Sequence, residues 1–335
     1  MLTELWLEVP ASRQTVLSKL WQSVGKSVEH TVREVAGLPF STADGFLVGI
    51  LSFVVTLLLF ASMEVISKPL MGLIDPLVLT FWRFVCGIAV LGIVMAIRRK
   101  KLSLSPGKLG VLALMGILNT FISMSFLQLA VKNTEACRAA TIFGSNPVFV
   151  VLIAAILGWE RYSKRKGAGL ILGITGLVLV TGMYTFKMDT GTMYALLASV
   201  TFAVYIILGR KASMDADPIS VNVISFAFGI AALALWLQIK GISMSPEPLR
   251  SELPSFLFLG IGVSGLGYVT FLTAINKLGA GNASTVFLLK PAVATVLAIA
   301  FLGETVTFNF VTGLLFAAVG SYLVAGKRKS GLEPS

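Results

Sequence analysis

The chain contains two matching apolar stretches, NPVFVVLIAAILGWE at residues 146–160 and KPAVATVLAIAFLGE at residues 290–304, whose numbers differ by 144. Both stretches have proline at the second position and glutamate at the last. Further residue pairs keep the same offset: Gly116 with Gly260, Ala130 with Ala274, Gly169 with Gly313 and Gly176 with Gly320. At an offset of 142, Asp75 and Pro76 match Asp217 and Pro218. The repetition predicts two copies of one folding unit.

The composition excludes a soluble protein. Of the 335 residues, 56% are hydrophobic and only 13% are charged, whereas a globular protein is about 25% charged. The apolar runs are continuous, unlike the alternating segments of about ten residues in a β-barrel. They are long enough for helices, which need about 20 residues to cross the hydrocarbon layer. The sequence therefore predicts an all-α polytopic membrane protein.

Charge, proline and glycine punctuation divides the apolar sequence into ten predicted transmembrane helices. They cover residues 46–67, 76–97, 108–130, 135–158, 166–184, 191–210, 218–239, 254–276, 281–302 and 306–326. Each copy of the repeat then holds five helices, at residues 46–184 and 191–326. Because five is odd, the second copy enters the membrane from the opposite side. Such inverted repeats, related by a pseudo-two-fold axis in the membrane plane, are typical of secondary transporters.

The basic residues predict the orientation. With the amino terminus in the cytoplasm, fifteen Lys and Arg residues fall at cytoplasmic span ends or in the 327–335 tail. Six fall on the other side: Lys68, Lys132, Arg138, Lys187, Lys240 and Arg250. The positive-inside rule then places both termini in the cytoplasm. The net charge of +11 is accordingly mostly a signal of topology rather than of nucleic-acid binding.

The amino-terminal tail, residues 1–45, differs from the rest of the chain. Apolar residues recur between Val16 and Val35 at helical spacing, with charged residues between them. This pattern favours either an amphipathic helix lying at the membrane interface or a poorly ordered cytoplasmic extension.

The stretch SKPLMGLIDPLVLTFWRF, residues 67–84, together with the pair at 146–160 and 290–304, resembles the EamA-type branch of the drug/metabolite transporter superfamily. The resemblance covers about residues 46–326. It implies a ten-helix transporter that moves a small metabolite, an amino acid or related compound among the candidates, often outward across an inner or plasma membrane. An antiporter of an anionic phosphate ester or nucleotide sugar is the nearest alternative, because Arg83 and Lys290 suit an anionic substrate.

Three charged side chains lie within predicted spans, where a charge at the helix centre costs about 2.5–3.5 kcal/mol. Lys290 lies near the middle of the ninth span and is a candidate anchor for a substrate carboxylate or phosphate. Glu64 is the only acid well inside a span, and it is a candidate proton carrier if burial raises its pKa. The alternative is a structural bridge from Glu64 to Arg83 or Lys290. The family counterpart of Arg83 is interpreted as structural.

Several uncharged polar side chains in the spans are predicted to line a substrate cavity, chief among them Asn119, Asn146, Tyr205 and Tyr268. The alternative for each is a hydrogen bond to a neighbouring helix, worth about 0.6 kcal/mol. Trp82 is interpreted as a lipid-facing aromatic side chain.

Two further pairs of matched residues, one of prolines and one of glutamates, predict conformational features of the helices. The matched prolines Pro147 and Pro291 are candidate bending points for alternating access. The matched acids Glu160 and Glu304 end their spans, and each is predicted to stabilise the positive end of the following helix dipole.

The sequence indicates neither a cofactor nor an enzyme. Cys86 and Cys137 form no disulfide framework or metal motif, and no span carries a histidine or a pair of acids, which leaves an intramembrane enzyme without a catalytic constellation. The expected partners are a small-molecule substrate, the lipid bilayer and protons carried by Glu64.

Overall fold

The computed structural model describes residues 42–98, 109–157, 164–183, 188–212 and 217–325. In these ranges each of the ten predicted spans is a helix. They are α1 (Thr42–Leu70), α2 (Pro76–Ile97), α3 (Leu109–Asn133), α4 (Ala136–Ile156), α5 (Lys164–Thr181), α6 (Thr190–Ala212), α7 (Pro218–Ile239), α8 (Leu253–Leu278), α9 (Val286–Leu302) and α10 (Phe308–Ala325). The predicted interfacial helix of the tail and Glu160 lie outside the described residues.

The helices confirm an all-α polytopic membrane protein. Seven of the described helices, α1–α4 and α6–α8, are long and apolar enough to cross a membrane. α9 and α10 are shorter apolar helices, and Ala280–Ala283 forms a short helix just before α9. α5 has 18 residues and begins with Lys164, Arg165 and Lys166.

Matching sequence signals start matching helices. Asp75 caps α2 by accepting a hydrogen bond of 2.8 Å from the backbone N–H of Leu77. Asp217 caps α7 by accepting one of 3.2 Å from Ser220. In both helices a proline follows at the first position, where its missing N–H costs no hydrogen bond. The repeated Asp-Pro pair therefore begins and caps the corresponding helix in each repeat.

Within the described ranges, three interruptions of regular α-helix were not predicted from the sequence. Ile117–Ser123 of α3 and Phe258–Leu266 of α8 are π-helical. α4 is broken at Ser145 and restarts at Asn146. The bend predicted at Pro147 is thus a break two residues earlier, with the proline in the first turn of the new segment, whereas Pro291 lies inside the continuous helix α9.

The contacts between helices follow a pseudo-two-fold pattern that exchanges the repeats. α1 packs on α8 and α9, and its counterpart α6 packs on α3 and α4. α2 packs on α8 as α7 packs on α3. The pairs α2–α7, α4–α9 and α5–α10 each join a helix to its own counterpart.

The repeats are inverted. Lys68, near the end of α1, donates hydrogen bonds to the carbonyl oxygens of Val131 (2.7 Å) and Thr134 (2.6 Å). The Thr134 hydroxyl donates to Asp189 (3.2 Å), which immediately precedes α6. The end of α1 and the beginning of its counterpart α6 therefore lie at the same end of the bundle.

The α5–α10 contact depends on glycine, as the sequence predicts. A Cβ atom on Gly176 would lie 2.7 Å from the carbonyl oxygen of Gly313, and one on Gly313 would lie 2.9 Å from that of Gly176. Both distances are too short for a real side chain. The two backbones approach closely because neither position has a side chain.

Candidate functional site

A buried ion pair joins the two repeats. The ammonium Nζ of Lys290 on α9 donates a hydrogen bond of 2.6 Å to Oε1 of Glu64 on α1. The side chains are 4% and 0% exposed. Of the two partners that the sequence left open for Glu64, the structure selects Lys290. The other carboxylate oxygen, Oε2, has no hydrogen-bond partner among the described residues.

Lys290 lies beside the break in α4. Its Nζ lies 5.1 Å from the ring centroid of Phe143, a cation–π distance. The carbonyl of Phe143 accepts a hydrogen bond of 2.9 Å from Nδ2 of Asn146. Asn146 is the repeat counterpart of Lys290 at the 144 offset. Its amide group is engaged within the broken helix, so the structure gives Asn146 a local partner and Lys290 a partner in the other repeat.

Arg83 on α2 is the third buried charged side chain among the described residues. Its guanidinium carbon lies 5.2 Å from the ring centroid of Phe84, and the residue is 2% exposed. It lies within electrostatic reach of Tyr268 and Glu64. Nε and Nη1 have no hydrogen-bond partner among the described residues. A purely structural arginine would be expected to have its donors satisfied.

Asn119 and Tyr268 approach each other from the two π-helical regions. Asn119 lies inside the π-helical segment of α3, and Tyr268 follows that of α8 by two residues. The Tyr268 hydroxyl is close to the Asn119 amide. Both polar atoms of that amide are buried without a well-formed hydrogen bond. π-Helical turns occur frequently at functional sites because they displace side chains from the regular helical positions.

Aromatic rings connect these polar groups. Tyr268 packs edge-on against Phe226 at 5.0 Å between ring centroids and against Phe60 at 5.5 Å. Tyr205 packs on Phe202 at 5.3 Å and lies within electrostatic reach of Tyr268. The structure thus brings Lys290, Glu64, Asn119, Tyr205 and Tyr268 to one aromatic-lined region, in which Asn146 takes part through the backbone of α4. Phe60, Phe202 and Phe226 were not among the site residues predicted from the sequence.

Other polar side chains serve packing. The Ser123 hydroxyl donates to the carbonyl of Ala198 on α6 at 2.8 Å. The Trp82 indole N–H donates to the carbonyl of Met244 at 2.8 Å, in the connection after α7. The interpretation of Trp82 as a side chain directed only at lipid was therefore incomplete.

Glu304 stabilises a helix other than the predicted one. Its carboxylate accepts hydrogen bonds from the backbone N–H groups of Ala136 (2.6 Å) and Cys137 (2.9 Å). These groups begin α4, so Glu304 stabilises the positive end of α4 rather than of α10. The contact fixes the end of α9 to the start of its counterpart helix.

A polar depression of about 510 Å³ opens at this end of the bundle. Its lining includes Lys68, Lys132, Asn133, Thr134, Glu135, Asp189 and Glu304. Beside it, the Arg138 guanidinium lies 3.0 Å from the Glu135 carboxylate and 3.2 Å from that of Asp189. These side chains are 30–46% exposed, which limits the strength of each pair. The ion pairs link the α3–α4 turn to the start of α6.

Comparison with known proteins identifies the family. The model of the EamA-like transporter family matches residues 47–182 and again residues 189–326. An uncharacterized transporter of Clostridium kluyveri is 34% identical over 287 residues, which cover 82% of this chain and 92% of that protein. The uncharacterized transporter YoaV of Bacillus subtilis is 23% identical over 254 residues, covering 75% and 87% of the two chains.

More distant similarities agree. The WAT1-related protein At3g02690, chloroplastic, of Arabidopsis thaliana is 24% identical over 227 residues, covering 64% of this chain and 54% of that protein. A solved crystal structure shares the fold with a TM-score of 0.59 and 22% identity, over 84% of this chain and 96% of the other. The chain belongs to the EamA-like transporter family and is a membrane transporter.

Proposed function

We propose that this protein is a secondary transporter that moves a small metabolite, an amino acid or related compound, out of the cell by alternating access. It spans an inner or plasma membrane with both termini in the cytoplasm. The distribution of Lys and Arg supports this orientation. The resemblance to EamA-type transporters, which often act outward, supports the direction.

The observation that carries this proposal is the buried pair of Glu64 and Lys290. It connects α1 of one repeat to α9 of the other, and inverted-repeat transporters alternate access by moving such units against each other. A buried ion pair is weak evidence for stability, since the cost of removing two charges from water offsets their attraction. Its presence between the two repeats therefore favours a functional role.

In this proposal the pair couples protons to transport. Protonation of Glu64 cancels its charge and weakens its attraction for Lys290, which lets α1 and α9 separate. Deprotonation restores the pair and closes the contact. Asn119, Tyr205 and Tyr268 hydrogen-bond the substrate, and the surrounding rings contact its apolar part. Asn146 holds the break in α4 behind Phe143.

A second candidate is the exchange of an anionic phosphate ester or nucleotide sugar. One observation favours it: the buried guanidinium of Arg83 has donors without partners among the described residues. Such an exchanger would be sensitive to salt and would be competed by inorganic phosphate.

A transport screen tests both candidates. The full chain is reconstituted in proteoliposomes and supplied with radiolabelled amino acids, neutral metabolites and phosphate esters, with and without a pH gradient. We expect gradient-stimulated transport of an amino acid or related compound, lost in Lys290→Met and retained in Lys132→Met. Phosphate-ester exchange that ignores the gradient would instead establish the second candidate.

A further inference from the structure

The buried centre carries an unbalanced charge. Of the charged side chains that the structure describes, three are buried: Glu64, Arg83 and Lys290. Glu64 is paired with Lys290 at 2.6 Å. No acid that the structure describes lies within ion-pair distance of Arg83. The excess positive charge therefore resides on Arg83.

Among the described residues, the Arg83 guanidinium lacks a counter-charge of its own, because Glu64, the acid within its electrostatic reach, is already paired with Lys290. Arg83 is 2% exposed, and Nε and Nη1 have no hydrogen-bond partner in the described part of the chain. A buried charge without a partner is costly in a membrane protein and marks a functional position. Because the guanidinium is planar, Nη2 forms a two-donor edge with Nε on one side and with Nη1 on the other, and either edge can bind both oxygens of one carboxylate.

Further hydrogen-bonding groups and aromatic rings lie close to Arg83. Tyr268 lies near both Arg83 and Asn119, and both polar atoms of the Asn119 amide are without well-formed hydrogen bonds. Phe60 and Phe226 pack edge-on against the Tyr268 ring. An organic acid would find a cation, an amide and aromatic rings in this region.

The repeat makes this arrangement asymmetric. At the 142 offset the counterpart of Arg83 is Ser225, and at the 144 offset that of Asn119 is Val263. The second repeat thus has neither the cation nor the amide at the related positions. This asymmetry predicts one binding position for an anion, which lies on the Arg83 side of the pseudo-two-fold axis.

We infer that Arg83 receives the anionic group of the substrate, that this group is a carboxylate with a single negative charge, and that Lys290 remains the partner of Glu64. While Glu64 is ionised and paired, one excess positive charge matches one carboxylate, whereas a phosphate monoester with a charge of about −1.5 to −2 would leave the centre negative. The inference rests on the proposed function, because it assigns a substrate class to the same central region.

A binding measurement tests the inference without transport. Thermal unfolding of the detergent-purified full chain is followed at pH 7.5 and constant ionic strength. Benzoate is the monoanionic probe, benzamide its neutral analogue of similar shape, and phenyl phosphate the more highly charged probe. We expect a saturable rise of Tm with benzoate, none with benzamide, and a smaller rise with phenyl phosphate.

Variants assign the binding to Arg83. In Arg83→Gln the half-saturating benzoate concentration should rise at least about tenfold, as expected for the loss of a charge-assisted hydrogen bond. Arg83→Lys, which keeps the charge but not the two-donor geometry, should fall between Arg83→Gln and the unaltered protein. Ser225→Ala, at the related position of the second repeat, is the matched control and should bind benzoate as the unaltered protein does.

Equal Tm shifts with benzoate and benzamide would overturn the inference, and so would unchanged benzoate binding in Arg83→Gln. A larger Arg83-dependent shift with phenyl phosphate would overturn the single-charge assignment. If Arg83→Gln does not fold, the probe comparison on the unaltered chain and Arg83→Lys still decide. A chain that binds benzoate but transports none of the screened compounds in proteoliposomes would contradict the proposed function and leave the anion site standing.

Discussion

The carboxylate of Glu64 on α1 lies 2.6 Å from the ammonium of Lys290 on α9, and this pair joins the two inverted repeats across a buried contact. Both side chains are buried, so bulk solvent and salt screen their interaction little. The charge of one group therefore determines the electrostatic environment of the other. The effects of substitutions at the two residues on the free energy of unfolding should not add.

The pair predicts non-additive stability. Glu64→Gln and Lys290→Met should each destabilise the protein by about 3–5 kcal/mol, because each leaves one buried charge without its partner. The double variant removes both charges while keeping similar volumes, so it should recover most of the loss. Thermal and denaturant unfolding of the full chain in detergent measure this. Losses that simply add in the double variant would show that the residues act separately.

Glu304 should matter for the start of α4. Glu304→Gln weakens two hydrogen bonds to the backbone N–H groups of Ala136 and Cys137, with an expected cost of about 0.5–2 kcal/mol. Hydrogen exchange should become faster at these amides. Glu247→Gln, at an exposed position, is the control. If exchange at the start of α4 is the same in Glu304→Gln and in this control, the capping role is wrong.

The α5–α10 contact should not tolerate a side chain. Gly176→Ala places a methyl group against the backbone of α10, and overpacking of this kind costs about 1–3 kcal/mol. Gly92→Ala is the matched control on α2, because nothing lies within 4 Å of the added Cβ. We expect a lower Tm for Gly176→Ala and little change for Gly92→Ala. Equal Tm values would mean that α10 can move away at no cost.

The orientation can be tested by labelling. In a chain with Cys86 and Cys137 replaced by alanine, a cysteine introduced at Lys132 should react with a membrane-impermeant maleimide in intact cells. A cysteine introduced at Arg98, at the predicted cytoplasmic end of α2, should react only after the membrane is opened. The reverse pattern would place the termini outside the cytoplasm.

The sequence predicted the helices well because their signals are local. Both ends of α2 and α7, residues 76–97 and 218–239, agree with the prediction, and the Asp-Pro pair accounts for the first residue of each helix. The repeat was readable because matched glycine and proline residues keep an offset of 144 over most of the repeat and of 142 near its second helix. Inversion follows from an odd number of helices in each repeat.

The site was less predictable because its geometry depends on contacts distant in sequence. The acid Glu64 had two candidate cations, and only packing of α1 against α9 selects Lys290. Asn146 was predicted to line the substrate cavity, and that role stays a prediction; the break at Ser145 adds a local contact of its Nδ2 with the carbonyl of Phe143 that the sequence did not indicate. Neither the break nor the π-helical segments have a simple periodic signal. The interpretation of Arg83 as structural rested on the family resemblance, and its unsatisfied donors became visible only in three dimensions.

The Glu64–Lys290 pair is proposed to couple protons to transport rather than only to join helices. The most direct test is pH-gradient-driven transport in proteoliposomes by the double variant Glu64→Gln/Lys290→Met, using the substrate found in the screen and Lys132→Met as the control. We predict that the double variant folds, inserts and no longer responds to the gradient. Transport by the double variant with the same rate and gradient dependence as the unaltered protein would contradict the claim.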